Sequence, residues 1–210
     1  MMQHLSDRDL LLVYLLRFSG LRLGEALGLR LTDIDIPNKA IYVRWRDDNL
    51  NFARAKYGEE ESRGYPEEPR TWMPDFAVRV LCRYLQHRGT YAAKRSEYLF
   101  INLHGPNVGF PLRAGTVEKS FERASESLAM QVTPHMLRHT FATRLMELCP
   151  NDIAVLQRLL NHQSILTTSQ YIHVAVESLR KALDMVAKDM LECGLESSRI
   201  VDMNAPSQSL

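Results

Sequence analysis

The sequence predicts a mostly helical α+β domain with a small antiparallel sheet, on three observations. Apolar residues recur at helical spacing through most of the chain. A β-branched and aromatic stretch, Ile41-Tyr-Val-Arg-Trp45, interrupts that pattern early. A second short extended run, Arg70-Thr-Trp-Met73, stops at Pro74 and can pair with the first.

Each element has a local reason. Ser6 is placed to cap a first helix running through Leu10–Phe18, and a second short helix follows over Leu23–Leu29. The turn signal Pro37-Asn38 precedes the first extended stretch. Residues 41–46 and 70–73 make the sheet, with 51–56 available as a strand between them. The polar segment 47–69 carries an acidic cluster, EEESRGYPEEP. From Asp75 onward the periodicity is helical again, near 75–88, 116–128, 134–148 and 152–160, then a short helix near 165–171 and a last one near 174–191. Pro134 suits a first helical turn and Thr133 can cap it. On that helix Leu137, Phe141 and Leu148 share a side that can face the core. The tail from Glu196 has little apolar content and reads as disordered.

A chain of 210 residues with 45% apolar and 24% charged residues reads as one soluble globular domain. No stretch approaches the roughly 18 uninterrupted apolar residues of a membrane span. The N-terminus lacks the pattern of a signal peptide, with acidic residues directly before its apolar run and no small-residue cleavage site. Cys82, Cys149 and Cys193 are odd in number and far apart, which predicts reduced thiols in a cytoplasmic protein.

The formal net charge is only +1, but its distribution is uneven. Residues 70–181 carry a net +6 and residues 1–58 a net +2. The compensating acid sits at residues 59–69, net −4, and 184–210, net −3. The body of the domain is therefore moderately basic, which permits a phosphate-tracking surface without requiring one.

The segment Thr133-Pro-His-Met-Leu-Arg-His139 carries the clearest chemistry. On a helix, His135 and Arg138 project from the same side, placing a proton-transfer group beside a bidentate phosphate ligand. His139 lies about 40° further round and reads as a structural neighbour. An HxxR pair by itself is common on half-buried helix faces. Here it is accompanied upstream by Ser19-Gly-Leu-Arg-Leu-Gly-Glu25 and downstream by Leu159-Leu-Asn-His162, with Tyr171 nine residues after His162.

In these four blocks the chain resembles the tyrosine recombinases, also called phage integrases. The family's pattern is an Arg in a TGLR..E segment, an HxxRH helix, an LLGH segment and a Tyr nine residues later. Arg22 with Glu25, His135 with Arg138 and His139, His162 and Tyr171 match it in order, from about Leu10 to Val174. The resemblance implies the fold of a tyrosine recombinase catalytic core. It implies breakage and rejoining of double-stranded DNA through a covalent 3′-phosphotyrosine, in a synapse of four protomers that can exchange a C-terminal helix, here 174–191. It implies no cofactor and no metal, and a bacterial, archaeal, phage or mobile-element origin.

The residue types suit that chemistry. Arg22 and Arg138 can each grip non-bridging oxygens of a phosphoryl group gaining charge. An unperturbed tyrosine ionises only near roughly pH 10, so Tyr171 needs help as a nucleophile. His135 is the candidate proton acceptor and His162 a hydrogen-bond donor to the phosphate. Glu25 reads as a residue that orients a neighbour rather than one that reacts, and His139 as another supporting residue. Thr167, Thr168 and His173 also fit family positions but read as packing and capping residues.

Two departures stand out. Asn161 replaces the family's usual glycine, which a helix C-cap tolerates. The family's lysine hairpin is represented by Lys56, the only lysine between Lys39 and Lys94, as the general acid for the leaving 5′ oxygen. It is separated from Arg70-Thr-Trp-Met-Pro74 by an interval with five glutamates, which should repel DNA unless folded away. Family members also carry an N-terminal helical domain on the opposite face of the DNA, and only about nine residues precede the first helix here. The expectation is a catalytic domain over 1–195 with a disordered tail at 196–210 and no N-terminal domain, either as a catalytic-domain fragment or as an unusually short member. Two rival readings are a catalytically silent DNA-binding module of the same fold and a metal-dependent hydrolase built on His135, His139 and His162. The latter lacks the glutamate of an HExxH helix.

Overall fold

The computed structural model describes residues 5–53, 70–88 and 96–148. Their elements run in order α1 (Asp7–Phe18), α2 (Leu23–Leu27), a 3₁₀ turn (Leu31–Asp33), β1 (Ile34–Asp35), β2 (Ala40–Tyr42), β3 (Arg70–Trp72), α3 (Asp75–Arg88), α4 (Ala114–Leu128) and α5 (Pro134–Leu148). The mostly helical α+β reading holds. The helices expected at 152–160, 165–171 and 174–191, and the tail, lie outside the described residues.

The helix starts follow their caps. Ser6 Oγ accepts from Asp9 N at 3.2 Å, and Asp7 and Asp9 in the first turn with Arg17 in the last complement the helix dipole of α1. Thr133 Oγ1 accepts from Met136 N at 3.2 Å at the start of α5, as the sequence suggested. α1 packs against α3 and α5 and supplies four buried leucines, Leu11, Leu12, Leu15 and Leu16, to the core.

The sheet differs from expectation in its third strand. β2 pairs antiparallel with β3, Ile41 opposite Thr71, as predicted. On its other side β2 pairs with β1, Ile34 opposite Ile41, and residues 51–53 form no strand. The reason is local. Asp35 accepts from Asn38 N at 3.0 Å and from Asn38 Nδ2 at 2.8 Å, and Lys39 takes φ 54°, so the chain reverses tightly and pairs with itself. Asn51 instead turns inward, donating from Nδ2 to the carbonyls of Leu27 and Leu112, both at 2.9 Å. Beyond β2 the chain is clamped to the 3₁₀ turn by Asp33. This fully buried carboxylate accepts from Arg44 at 3.0 Å, from Arg46 at 2.6 and 2.9 Å, and from Arg30 N at 2.8 Å.

Two further differences concern the core. Periodicity assigned no element between 88 and 116, yet Tyr98, Leu99, Phe100 and Ile101 are all buried, bridged to Arg30 and Pro111. Tyr84 Oη donates to the Leu99 carbonyl at 2.9 Å, and buried Arg88 donates to the carbonyls of Ser96 and Tyr98. On α5 the inward stripe is Arg138, Ala142 and Met146, not the expected Leu137, Phe141 and Leu148. Leu137 only borders the core and Leu148 is 80% exposed. A guanidinium can face inward because partners for it are waiting there.

Candidate active site

The site begins where α1 ends. Gly20 takes φ 69°, a left-handed conformation that glycine adopts without steric cost, and the chain turns so that Leu21 N donates to Leu15 O at 3.3 Å. Arg22 then caps α2. Its backbone N–H donates to Glu25 Oε2 at 2.7 Å and its Nη1 to Glu25 Oε1 at 2.7 Å. The carboxylate thus closes the helix N-terminus and orients the arginine in one arrangement.

The second arginine arrives from α5. Arg138 Nη1 donates to the Gly20 carbonyl at 2.6 Å and to Glu25 Oε2 at 3.3 Å. Glu25, only 4% exposed, therefore lies between two guanidiniums that the chain separates by more than a hundred residues. Arg138 is nearly as deep, at 6% side-chain exposure, whereas Arg22 reaches further out, at 20%. A carboxylate this buried would be unfavourable alone, and the two cations compensate it.

Arg22, Arg138 and His135 line one open cavity of about 750 Å³. Its remaining walls are Leu23, the 131–134 segment and a face of α4. The α4–α5 turn that places His135 is held by Ser125, whose Oγ accepts from Val132 N at 2.9 Å and donates to the Val132 carbonyl at 3.0 Å. Ala129 ends α4 in the left-handed region, φ 49°, where glycine is more usual. His135 is exposed at the cavity edge, so it can meet a ligand that the arginines hold.

The structure thus brings Arg22, Glu25, His135 and Arg138 together as the sequence suggested. His139 does not line the cavity, and its Nδ1 lies 3.4 Å from Thr143 Oγ1 on the next turn. Lys56, His162 and Tyr171 lie outside the described residues. Sequence reasoning missed the far wall, where Glu118, Glu122 and Glu126 face the cavity from α4. Their spacing of four was a legible signal of one helical face. Carboxylates there repel an anion from the α4 side and favour one held against Arg22 and Arg138. Chemically, the arrangement is a fixed cationic clamp with an imidazole at its mouth.

Known proteins share this architecture. The chain is 32% identical over 176 residues to transposase A from transposon Tn554 of Staphylococcus aureus, covering 83% of this chain and 46% of that protein. It is 35% identical over 182 residues to the tyrosine recombinase XerC of Oceanobacillus iheyensis, covering 85% of this chain and 53% of that protein. The chain therefore spans about half the length of the relatives it matches. Among solved structures it resembles the XerA recombinase, with TM-score 0.64, 27% identity, 85% of this chain and 58% of that one. It also resembles the Tn1549 transposon integrase in complex with circular intermediate DNA, with TM-score 0.60, 25% identity, 82% of this chain and 55% of that one. The pattern that distinguishes the phage integrase family matches residues 1–178. With the two arginines of the sequence pattern meeting on one buried glutamate and relatives of this similarity, the chain belongs to the phage integrase family.

Proposed function

We propose that the chain is the catalytic part of a site-specific DNA recombinase that cleaves and rejoins strands through Tyr171. The observation that carries this reading is the pair Arg22 and Arg138, held on Glu25 and opening with His135 into one cavity. The Tn1549 integrase, a structural neighbour, is in complex with DNA.

In this mechanism the guanidiniums grip the non-bridging oxygens of the scissile phosphate and neutralise the charge that builds as phosphorus becomes five-coordinate. The Tyr171 oxygen attacks phosphorus and its proton passes to His135. The bond from phosphorus to the 5′ oxygen breaks, and Lys56 protonates that oxygen. His162 donates a hydrogen bond to the phosphate. A 5′ hydroxyl from another strand then attacks the phosphotyrosine and releases Tyr171, so the phosphodiester is restored without a nucleotide cofactor. Two arginines supply the charge neutralisation that a metal gives other phosphoryl-transfer enzymes. The substrate is double-stranded DNA, and the acting assembly is a synapse of four protomers in which residues 174–191 either exchange between protomers or pack within their own.

The test is covalent trapping on a nicked suicide duplex carrying the element's own end sequence. The parent should form a protein–DNA adduct in excess chelator, and Tyr171→Phe should form none while binding DNA equally well. An adduct with Tyr171→Phe, or activity lost on chelation and restored by Mg²⁺ or Zn²⁺, would overturn the reading. A parent that binds DNA tightly but never forms an adduct would mark a silent DNA-binding module.

A further inference from the structure

The loop from Asn49 to Ala53 is built to hold an apolar side chain out in solvent. Its anchor is Asn51, 6% exposed, bonded to Leu27 and Leu112 and accepting from Ala53 N at 3.1 Å. Tyr98 Oη accepts from Leu50 N at 2.8 Å. Asn49 closes the turn, donating from Nδ2 to the Ala53 carbonyl at 2.7 Å while its own carbonyl accepts from Phe52 N at 2.9 Å. Between the buried Asn51 and Ala53, Phe52 is 76% exposed and takes φ 57°.

Folding alone does not account for that residue. A bulky side chain is strained in the left-handed region, where glycine or asparagine would make the same turn at lower cost. Exposure forfeits the burial that would repay the strain. Strain held in place by an over-determined surrounding is a feature of binding sites. The guanidinium of Arg113 lies over the ring, 5.9 Å from its centroid. Arg113 is itself exposed and makes no ion pair among the described residues.

Two elements connect the pair to the arginine site. Leu27, which accepts from Asn51, ends α2, whose N-cap is Arg22. Arg113 immediately precedes α4, which forms the far wall of the site cavity. α2 is five residues long, hence about 7.5 Å. A duplex carries one phosphate charge per roughly 1.7 Å of its axis, so one seated at Arg22 and Arg138 offers further phosphates to cations on neighbouring elements.

We propose that Phe52 and Arg113 form a second contact with duplex DNA. Arg113 takes a backbone phosphate flanking the scissile one, and Phe52 packs on the sugar and base edge of the adjoining groove. The inference rests on the DNA-processing reading of the arginine site, and it adds a surface that none of the reacting residues occupies.

The experiment measures binding of the full chain to a fluorescein-labelled duplex between 50 and 200 mM salt, with covalent trapping in parallel. Arg113→Ala should bind more weakly at low salt, and its deficit should shrink by roughly threefold across that range, as expected for one lost phosphate contact. Phe52→Gly should bind severalfold more weakly at every salt concentration with the parent's salt slope. It should also melt no lower than the parent, because glycine relieves the left-handed strain. That combination separates a lost contact from a damaged fold. If the parent binds and forms its adduct while both variants bind like the parent, the second contact is wrong and the recombinase reading stands. If the variants bind DNA normally but lose self-association in solution, the surface serves a protein partner and the inference is overturned. A parent with neither duplex binding nor adduct would overturn both.

Discussion

Arg138 and Gly20 lie 118 positions apart in the chain, yet the Arg138 guanidinium donates to the Gly20 carbonyl at 2.6 Å. The carbonyl is presented by a left-handed glycine, and the same guanidinium nitrogen also reaches Glu25. The turn between α1 and α2 therefore serves as a seat for a side chain from α5. It fixes Arg138 beside the glutamate that also holds Arg22, which is the alignment the proposed phosphate clamp requires.

Removing the shared carboxylate should cost both stability and activity. Glu25→Ala leaves the buried Arg138 without its counter-charge and should destabilise the fold by about 3 kcal/mol, the lower end for breaking a buried pair. Glu25→Gln keeps an acceptor for the Arg22 N–H and should lose less. Urea denaturation of the two variants checks the order.

Arg22→Ala and Arg138→Ala should each slow cleavage by roughly two orders of magnitude or more, the scale of a lost transition-state donor. Their stabilities should separate. Arg138 is the deeper of the two and ties α5 to the α1–α2 turn, so its loss should lower the melting temperature more than that of Arg22. Single-turnover cleavage with calorimetry on both variants reads the two effects apart.

Lys56→Ala should cleave normal DNA slowly and be largely rescued by a 5′-bridging phosphorothiolate, whose sulfur leaves without needing a proton. A slow variant that the phosphorothiolate does not rescue would assign Lys56 to phosphate binding instead. Cleavage at the parent's rate would move the general acid elsewhere.

Tyr84 gives a pH dependence with a definite sign. Burial pushes its hydroxyl up to about 12, against an ordinary value near 10. The folded state therefore holds that proton more tightly than the unfolded chain, and stability falls as the unfolded tyrosine ionises first. The contribution is complete below about pH 10 and is lost as pH rises toward 12, by at most about 2–3 kcal/mol. Melting temperatures taken from pH 8 upward should decline more steeply for the parent than for Tyr84→Phe.

The sequence by itself determined the described helices and four residues of the site, though not the acidic wall on α4. The helix at 75–88 was legible from its period and that at 134–148 also from Thr133 and Pro134 at its start, because these signals are local. Arg22, Glu25, His135 and Arg138 were legible because residue type and spacing state their chemistry. Only the tertiary structure decided how they meet. Nothing in a linear pattern says that Arg138 rather than Leu137 turns inward, or that Glu25 serves two arginines, since those outcomes depend on partners contributed by distant segments. The same reason explains the third strand, won by Ile34–Asp35 because an Asp35–Asn38 turn folds it back on β2 while Asn51 finds its acceptors in the core. It also explains Phe52, an apolar residue whose side chain stays outside because the groups around it hold its backbone in place.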